Sequence, residues 1–98
     1  MADIEFDQMP AGQPIKIEKN GKTICLTRIG DEVFAVDDTC SHSEASLSEG
    51  EVSDYKIECW LHGAEFDLRT GAALTLPANI ALNTYRVKIE ANSVTVEI

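Results

Sequence analysis

Two short motifs contain both histidines and two of the three cysteines of the chain. The first is C-S-H, with Cys40 and His42, and the second is C-W-L-H, with Cys59 and His62. Thiolate and imidazole groups are good ligands for zinc and for iron. Because each motif offers one cysteine and one histidine, we predict that the four residues bind a metal centre between two loops.

The four residues alone leave three interpretations open: an iron–sulfur site, a tetrahedral Cys2His2 zinc site, or buried cysteines and ordinary histidines with no common role. Usual zinc fingers pair Cys with Cys and His with His, whereas each motif here mixes the two. Gly63 directly after His62, and Gly71 in the turn that follows, permit positive φ angles and close backbone approach. Two mixed pairs with such glycines argue against coincidence.

Composition limits the classes of function. The chain has 98 residues, of which 44% are hydrophobic, and its net charge is −9. These values predict one folded domain and argue against partners such as nucleic acid or an anionic membrane surface. The first residues, M-A-D-I-E-F-D-Q, lack the apolar stretch of a signal peptide, and no later apolar run is long enough for a membrane span. We therefore expect a cytoplasmic protein that does not bind membranes, with cysteines serving as ligands or core thiols.

The elements that must position the motifs are short alternating runs, which are typical of antiparallel sheets. Residues 15–18, 23–29 and 33–36 are predicted strands, separated by turns at Asn20-Gly21 and Gly30-Asp31. Residues 85–89 and 94–98 alternate in the same way around a turn at 91–93. Each run offers one apolar and one polar face, as a sheet over a core requires.

The motifs lie between these blocks in a segment of different character. Residues 37–67 contain nine acidic residues and one basic residue, Lys56, so their charge is 1 − 9 = −8, and the rest of the chain carries 7 − 8 = −1. We interpret the segment as an insertion that carries the site. Its charge is either a solvated loop surface or a docking surface for basic partners.

The motifs and their surroundings resemble the Rieske family. The similar stretches are C-S-H-x-x-A-S-L-x-E-G, C-W-L-H-G-A-E-F-D-L-R-T-G and L-P-A-N, and the likeness runs from about Val33 to the C-terminus. It implies an all-β fold, a Rieske-type antiparallel β-sandwich base with an inserted small cluster-binding subdomain. The whole chain, 1–98, would be a single Rieske domain with its base at about 1–37 and 81–98 and its insertion at about 38–80.

The resemblance also implies the cofactor, one 2Fe–2S cluster. Cys40 and Cys59 would hold one iron, and His42 and His62 the other. Two ferric ions, two sulfides and two thiolates sum to zero, so reduction gives −1, which is easier than reducing an all-cysteine cluster. With four protein ligands and no open position, the centre suits electron transfer rather than catalysis, and we expect no catalytic residues.

Flanking residues refine the expected potential. High-potential Rieske proteins have two further cysteines, where this chain has Ala45 and Leu61, and hydroxyl residues that donate toward sulfur, where it has Ala64 and Phe66. Without those donors the reduced cluster is less stabilised. We predict a midpoint potential near the low end of the Rieske range, about −150 mV.

This pattern resembles the ferredoxin components of bacterial aromatic-ring-hydroxylating dioxygenase systems. It implies a monomeric electron carrier of aromatic hydrocarbon catabolism, passing electrons from a flavin-dependent ferredoxin reductase to a terminal oxygenase. A Rieske-like small subunit of another oxidoreductase, such as assimilatory nitrite reductase, is the alternative, and a zinc-stabilised interaction module is a weaker one.

Trp60 and Pro77 each have two interpretations, and Cys25 has one. Trp60 either contacts a partner at the tip of the site or packs beneath the loop. Pro77 either belongs to a third loop over the cluster or is a turn proline. Cys25, in the middle of a predicted strand, is expected to be a buried core thiol.

Overall fold

The computed structural model describes residues 3–39, 46–60, 63–75 and 81–97. Short strands, all paired antiparallel, make up most of the fold, together with two single turns of 3-10 helix at Phe6–Gln8 and Leu47–Glu49. The strands are β1 (Ile4–Glu5), β2 (Pro14–Lys19), β3 (Lys22–Ile29), β4 (Glu32–Asp37), β5 (Glu51–Ser53), β6 (Lys56–Glu58), β7 (Glu65–Asp67), β8 (Thr84–Glu90) and β9 (Ser93–Glu97). The predicted all-β class is therefore confirmed.

The first sheet begins with the predicted meander of β2, β3 and β4. Asn20 and Gly21 form the turn between β2 and β3, with φ angles of 52° and 77°. Positive φ at both central residues gives a turn whose twist matches that of the flanking strands. The tight turn sets the register, in which Lys19 lies opposite Lys22 and Ile17 opposite Ile24.

The C-terminal hairpin completes this six-stranded sheet, whose order is β1-β9-β8-β4-β3-β2. β8 pairs with β4 at only two positions, Ala35 with Tyr85 and Val36 with Thr84. Apolar side chains of β9 and β3 nevertheless belong to one core. The sheet therefore folds over itself into two facing layers, the expected sandwich base.

The second sheet has three strands in the order β5-β6-β7, and it lies in the sequence between β4 and β8. Each of its strands is three residues long, so this sheet cannot form a core by itself. It packs on the first sheet instead, through Ile57, Phe66 and Leu68, which share a core with Cys25 and Val36.

β3, like its neighbour β4, departs from simple alternation because both of its faces are buried. Ile24 and Leu26 point into the core of the sandwich, and Cys25 points into the core shared with the second sheet. All three side chains are fully inaccessible to solvent. The insertion therefore rests on the back of β3, an interior strand of the first sheet. The described parts of the chain contain no helix long and apolar enough to cross a membrane.

Candidate metal centre

The second motif sits in the hairpin that joins β6 to β7. Cys59 directly follows β6, and its N–H donates to the carbonyl of Ala64 at 2.7 Å. Gly63 turns the chain back with a φ of 73°, and its N–H donates to the carbonyl of Cys59 at 2.8 Å. Two backbone hydrogen bonds thus close the loop around position 62, and the glycine has the positive φ that the sequence predicted.

The first motif lies between two chain segments that are bonded to one another. Thr39 and Ser46 form an isolated antiparallel bridge, and the N–H of Leu47 donates to the carbonyl of Asp38 at 2.6 Å. The predicted ligands Cys40 and His42, which lie between these anchors, fall outside the described residues, as does His62. Pro77, Ala45 and Leu61 fall outside them as well.

Both loops are attached to one apolar core. Cys59 is fully buried, and so are Ala64 and Phe66, the two positions at which hydroxyl residues are absent. Leu47, just after the first loop, belongs to the same core. The structure therefore brings the flanks of the two motifs together, as a shared metal centre requires.

The segment before Pro77 is fastened to the second motif's hairpin. The N–H of Leu74 donates to the carbonyl of Glu65 at 2.8 Å, and the hydroxyl of Thr75 accepts the N–H of Glu65 at 2.9 Å. After the gap, the N–H of Leu82 donates to the carbonyl of Gly71 at 2.7 Å. Both ends of the proline segment are thus held beside β7.

The surface near this hairpin combines exposed apolar and acidic side chains. Trp60 is 52% exposed and Leu74 is 45% exposed, so Trp60 does not pack beneath the loop. On the second sheet, Glu58 lies directly opposite Glu51 on one side and Glu65 on the other. Like charges placed opposite one another destabilise a sheet. None of the three takes part in an ion pair with the described residues.

Cys25 is not part of the site, as predicted. It is fully buried, and its sulfur lies 3.9 Å from the hydroxyl of Thr27. Burial, with a smaller contribution from the nearby carboxylate of Asp38, raises the pKa of the Cys25 thiol to about 12. It is therefore a neutral core thiol rather than a metal ligand or a nucleophile.

Sequence reasoning missed the two aspartates that precede the first motif. Asp37 accepts hydrogen bonds from the hydroxyl of Tyr85 at 2.5 Å and from the N–H of Asn83 at 3.1 Å, which ties the end of β4 to β8. Asp38 is only 2% exposed. A signal was available in principle, because Asp38 stands two residues before a predicted ligand, but a buried carboxylate cannot be distinguished from a surface one in an acidic segment.

Cys59, the one predicted ligand within the described residues, fits an iron–sulfur centre. No group of three or more potential metal ligands occurs within the described parts of the chain, since three of the four predicted ligands fall outside those parts. The one that is described, Cys59, is a free thiol in a dry site at the mouth of a hairpin. Soft thiolates in such surroundings select zinc, copper(I) or iron–sulfur clusters.

Comparison with known proteins narrows these possibilities. The profile of the Rieske [2Fe-2S] domain matches residues 1–86. The ferredoxin component of biphenyl 2,3-dioxygenase from Rhodococcus jostii is 42% identical over 87 residues, which cover 89% of this chain and 81% of the relative.

Solved structures agree with this relationship. The ferredoxin of carbazole 1,9a-dioxygenase from Nocardioides aromaticivorans IC177 superposes with a TM-score of 0.95 at 34% identity, covering 98% of this chain and 94% of that one. A chain from a complex of reduced oxygenase and oxidized ferredoxin in carbazole 1,9a-dioxygenase gives 0.93 at 31% identity and covers 99% and 100%. A putative nitrite reductase small subunit gives 0.87 at 24% identity, covering 100% and 97%, and shares the fold alone.

Proposed function

We propose, from the premise that the chain belongs to the Rieske 2Fe–2S domain family, that it is the one-electron carrier of an aromatic-ring dioxygenase system. When bound, a Rieske cluster accepts and releases one electron at a time. The observation that carries the proposal is the second motif's hairpin. It buries Cys59 in the core that also anchors the first motif, in a chain whose similar relatives are dioxygenase ferredoxins.

The proposed ligands are Cys40 and Cys59 for one iron and His42 and His62 for the other. Cys59 supports this assignment through its full burial and its free thiol. Its neighbours Ala64 and Phe66 supply apolar surface and no hydroxyl donors. The missing hydroxyl donors favour a low midpoint potential for a Rieske centre, because hydrogen bonds toward sulfur stabilise the reduced state.

The protein contributes rigidity rather than chemistry. Backbone hydrogen bonds between Cys59, Gly63 and Ala64 close the hairpin, and the core residues beneath it are buried. A site held in this way changes little in geometry when an electron arrives. Because the four proposed ligands would leave no open position on iron, the site suits a carrier and not an oxygenase.

The proposed partners are a terminal oxygenase, which receives the electron, and a flavin-dependent ferredoxin reductase, which supplies it. Exposed Trp60, two residues before His62 in the sequence, offers an apolar contact, and the three opposed glutamates of the second sheet offer an anionic one. A basic surface on the oxygenase would neutralise charges that repel one another in the free protein. We place this monomeric carrier in the cytoplasm, in aromatic hydrocarbon catabolism.

The proposed domain organisation follows the two sheets. The base consists of about 1–37 and 81–98, and the cluster-binding insertion of about 38–80, within one Rieske domain. The position of β5, β6 and β7 between β4 and β8 supports this division.

Electron paramagnetic resonance of the purified, dithionite-reduced protein tests the assignment. We expect a Rieske-type signal together with two irons and two sulfides per chain. Cys59→Ser and His62→Ala should abolish the signal because each removes a ligand. Cys25→Ser should retain it, since that thiol lies outside the site.

Two results would reject the proposal. A colourless protein that contains zinc and gives no signal would make the four residues a structural site. A normal Rieske signal with electron transfer only to a nitrite reductase large subunit, and none to a ring-hydroxylating oxygenase, would assign the chain to that other enzyme class.

A further inference from the structure

The carboxyl group of Asp38 connects the two ends of the first motif's loop. Its Oδ1 accepts the N–H of Ser48 at 2.9 Å, and its Oδ2 accepts the hydroxyl of Ser46. The backbone carbonyl of Asp38 also accepts the N–H of Leu47. One residue thus receives three hydrogen bonds from the far end of a loop eight to ten residues away.

Asp38 is itself fixed to β3, an interior strand of the first sheet. Its N–H donates to the carbonyl of Thr23 at 3.1 Å, next to β3 residues that are fully buried. Ser46 is held in turn, because its hydroxyl lies 2.9 Å from that of Ser48. The contacts therefore form a chain from the rigid sheet through Asp38 to the outgoing end of the loop.

The burial of this carboxyl group is otherwise unfavourable. Asp38 is 2% exposed, and no ion pair among the described residues includes it. Burying such a group without a cation costs free energy that its hydrogen bonds only partly offset. The hydrogen bonds that it accepts from Ser46 and Ser48 are the feature that accounts for a carboxyl group at this position.

The two ligand loops are closed by different means. The loop of the second motif is closed by backbone hydrogen bonds between Cys59, Gly63 and Ala64, which side-chain substitutions leave in place. The loop of the first motif is closed by a backbone bridge, by the backbone hydrogen bond from Leu47 to Asp38, and in addition by the side chain of Asp38. The first loop therefore depends on a single carboxyl group in a way that the second does not.

We propose that Asp38 is a positioning residue for Cys40 and His42: its side chain holds both ends of their loop at a fixed separation, so that one thiolate and one imidazole meet the ligands of the second loop. The proposal rests on the function proposed above. It adds a residue that does not touch the cluster but sets how firmly the cluster is held.

The test measures cluster loss in the holoprotein. Asp38→Ala removes two hydrogen bonds, and we expect the visible absorbance of the cluster to decay about tenfold faster in the presence of an iron chelator. Ser46→Ala removes one of them, and we expect about a threefold acceleration. Asp38→Asn keeps an acceptor for Ser48 and can donate to the hydroxyl of Ser46, so its rate should stay within about twofold of wild type.

Two controls separate positioning from general stability. Leu68→Ala weakens the same core without touching these hydrogen bonds, and Asp37→Asn changes the neighbouring carboxyl group. We expect both variants to lose the cluster more slowly than Asp38→Ala when each protein is measured the same number of degrees below its own unfolding temperature. The cluster that Asp38→Ala retains should also show shifted g values, which a loss of stability alone would not produce.

The outcomes are distinguishable. If wild-type protein lacks a Rieske signal, the proposed function fails. If wild type shows the signal and Asp38→Ala matches it in g values and in cluster lifetime, the positioning role is overturned. Equal acceleration by Leu68→Ala would also overturn it, and if Asp38→Ala does not fold, Ser46→Ala and Asp38→Asn decide the question.

Discussion

Among single residues, Ala64 and Phe66 have the clearest expected effect on the potential. Both are fully buried next to the second motif and carry no hydroxyl group. Ala64→Ser and Phe66→Tyr would each add a donor toward the cluster sulfurs. One hydrogen bond worth about 1.4 kcal/mol in the reduced state corresponds to about 60 mV for a one-electron centre.

We therefore expect each variant to raise the midpoint potential by about 60 mV, measured by redox titration monitored by circular dichroism. Phe34→Tyr adds the same hydroxyl group at a half-buried position on β4 and should leave the potential unchanged. A midpoint that does not move in either Ala64→Ser or Phe66→Tyr would mean that these positions do not face the cluster sulfurs.

The buried thiol of Cys25 gives a prediction for alkaline pH. Its pKa is about 12 in the folded protein and 9.0 when exposed. Between these values the unfolded chain has released a proton that the folded chain keeps. The stabilising contribution of the neutral thiol is therefore complete below pH 9 and is lost as the pH rises toward 12.

The free energy of unfolding should accordingly fall with pH above 9, with a contribution from Cys25 of up to about 1.4 kcal/mol per pH unit. Tyr85, whose pKa burial and Asp37 raise to about 12, acts in the same direction. Cys25→Ser should make the decline shallower in urea titrations between pH 8 and 10.5. Parallel curves for the two proteins would contradict a buried, neutral thiol.

At the scale of the elements, Gly71 and Gly21 form a natural comparison. Their φ angles are 78° and 77°, so alanine would be strained to a similar degree at both, by about 1 kcal/mol. A Cβ at Gly21 would meet open space, whereas a Cβ at Gly71 would lie 2.3 Å from the carbonyl oxygen of Leu82. The second case adds an overpacking cost of about 1–3 kcal/mol.

We expect Gly71→Ala to lower the unfolding free energy by about 1–3 kcal/mol more than Gly21→Ala, measured by chemical denaturation of both variants side by side. Equal losses would show that the turn around Gly71 yields easily and does not hold the end of the proline segment.

The elements also show which features sequence can predict. Asn20-Gly21 specified its hairpin, because local turn chemistry fixes the register of the adjoining strands. The pairing of Ile4 with Val94 was not predictable in the same way, since it joins segments ninety residues apart through a two-residue strand. The ligand motifs could be predicted from residue types and spacing. The role of Asp38 could not, because it depends on burial and on hydrogen-bond partners that follow the loop in the sequence.

For the whole molecule, the unequal distribution of charge predicts how the protein meets its partners. The described base contains most of the basic residues, and the second sheet places Glu51, Glu58 and Glu65 in one row. Attraction between that row and a basic oxygenase surface would accelerate encounter, and salt would screen it. The second-order rate constant of electron transfer should fall about tenfold between 20 and 500 mM salt.

Glu58→Gln should reduce the steepness of this dependence in stopped-flow measurements. Glu18→Gln changes the net charge equally at an exposed position on β2 and should leave the dependence nearly unchanged. A rate constant that does not respond to salt, or that responds alike to both substitutions, would argue against electrostatic docking through the second sheet.

The burial of both faces of β3 has a consequence for protein quality control. The strand separates the core of the base from the core shared with the insertion, with Ile24 and Leu26 on one side and Cys25 on the other. If the insertion separates from β3 after the cluster is lost, apolar surface of the base becomes exposed to solvent. Chaperones and proteases recognise such surface, so a chain without its cofactor would be removed as a misfolded protein rather than persist as an inactive competitor for the same partners.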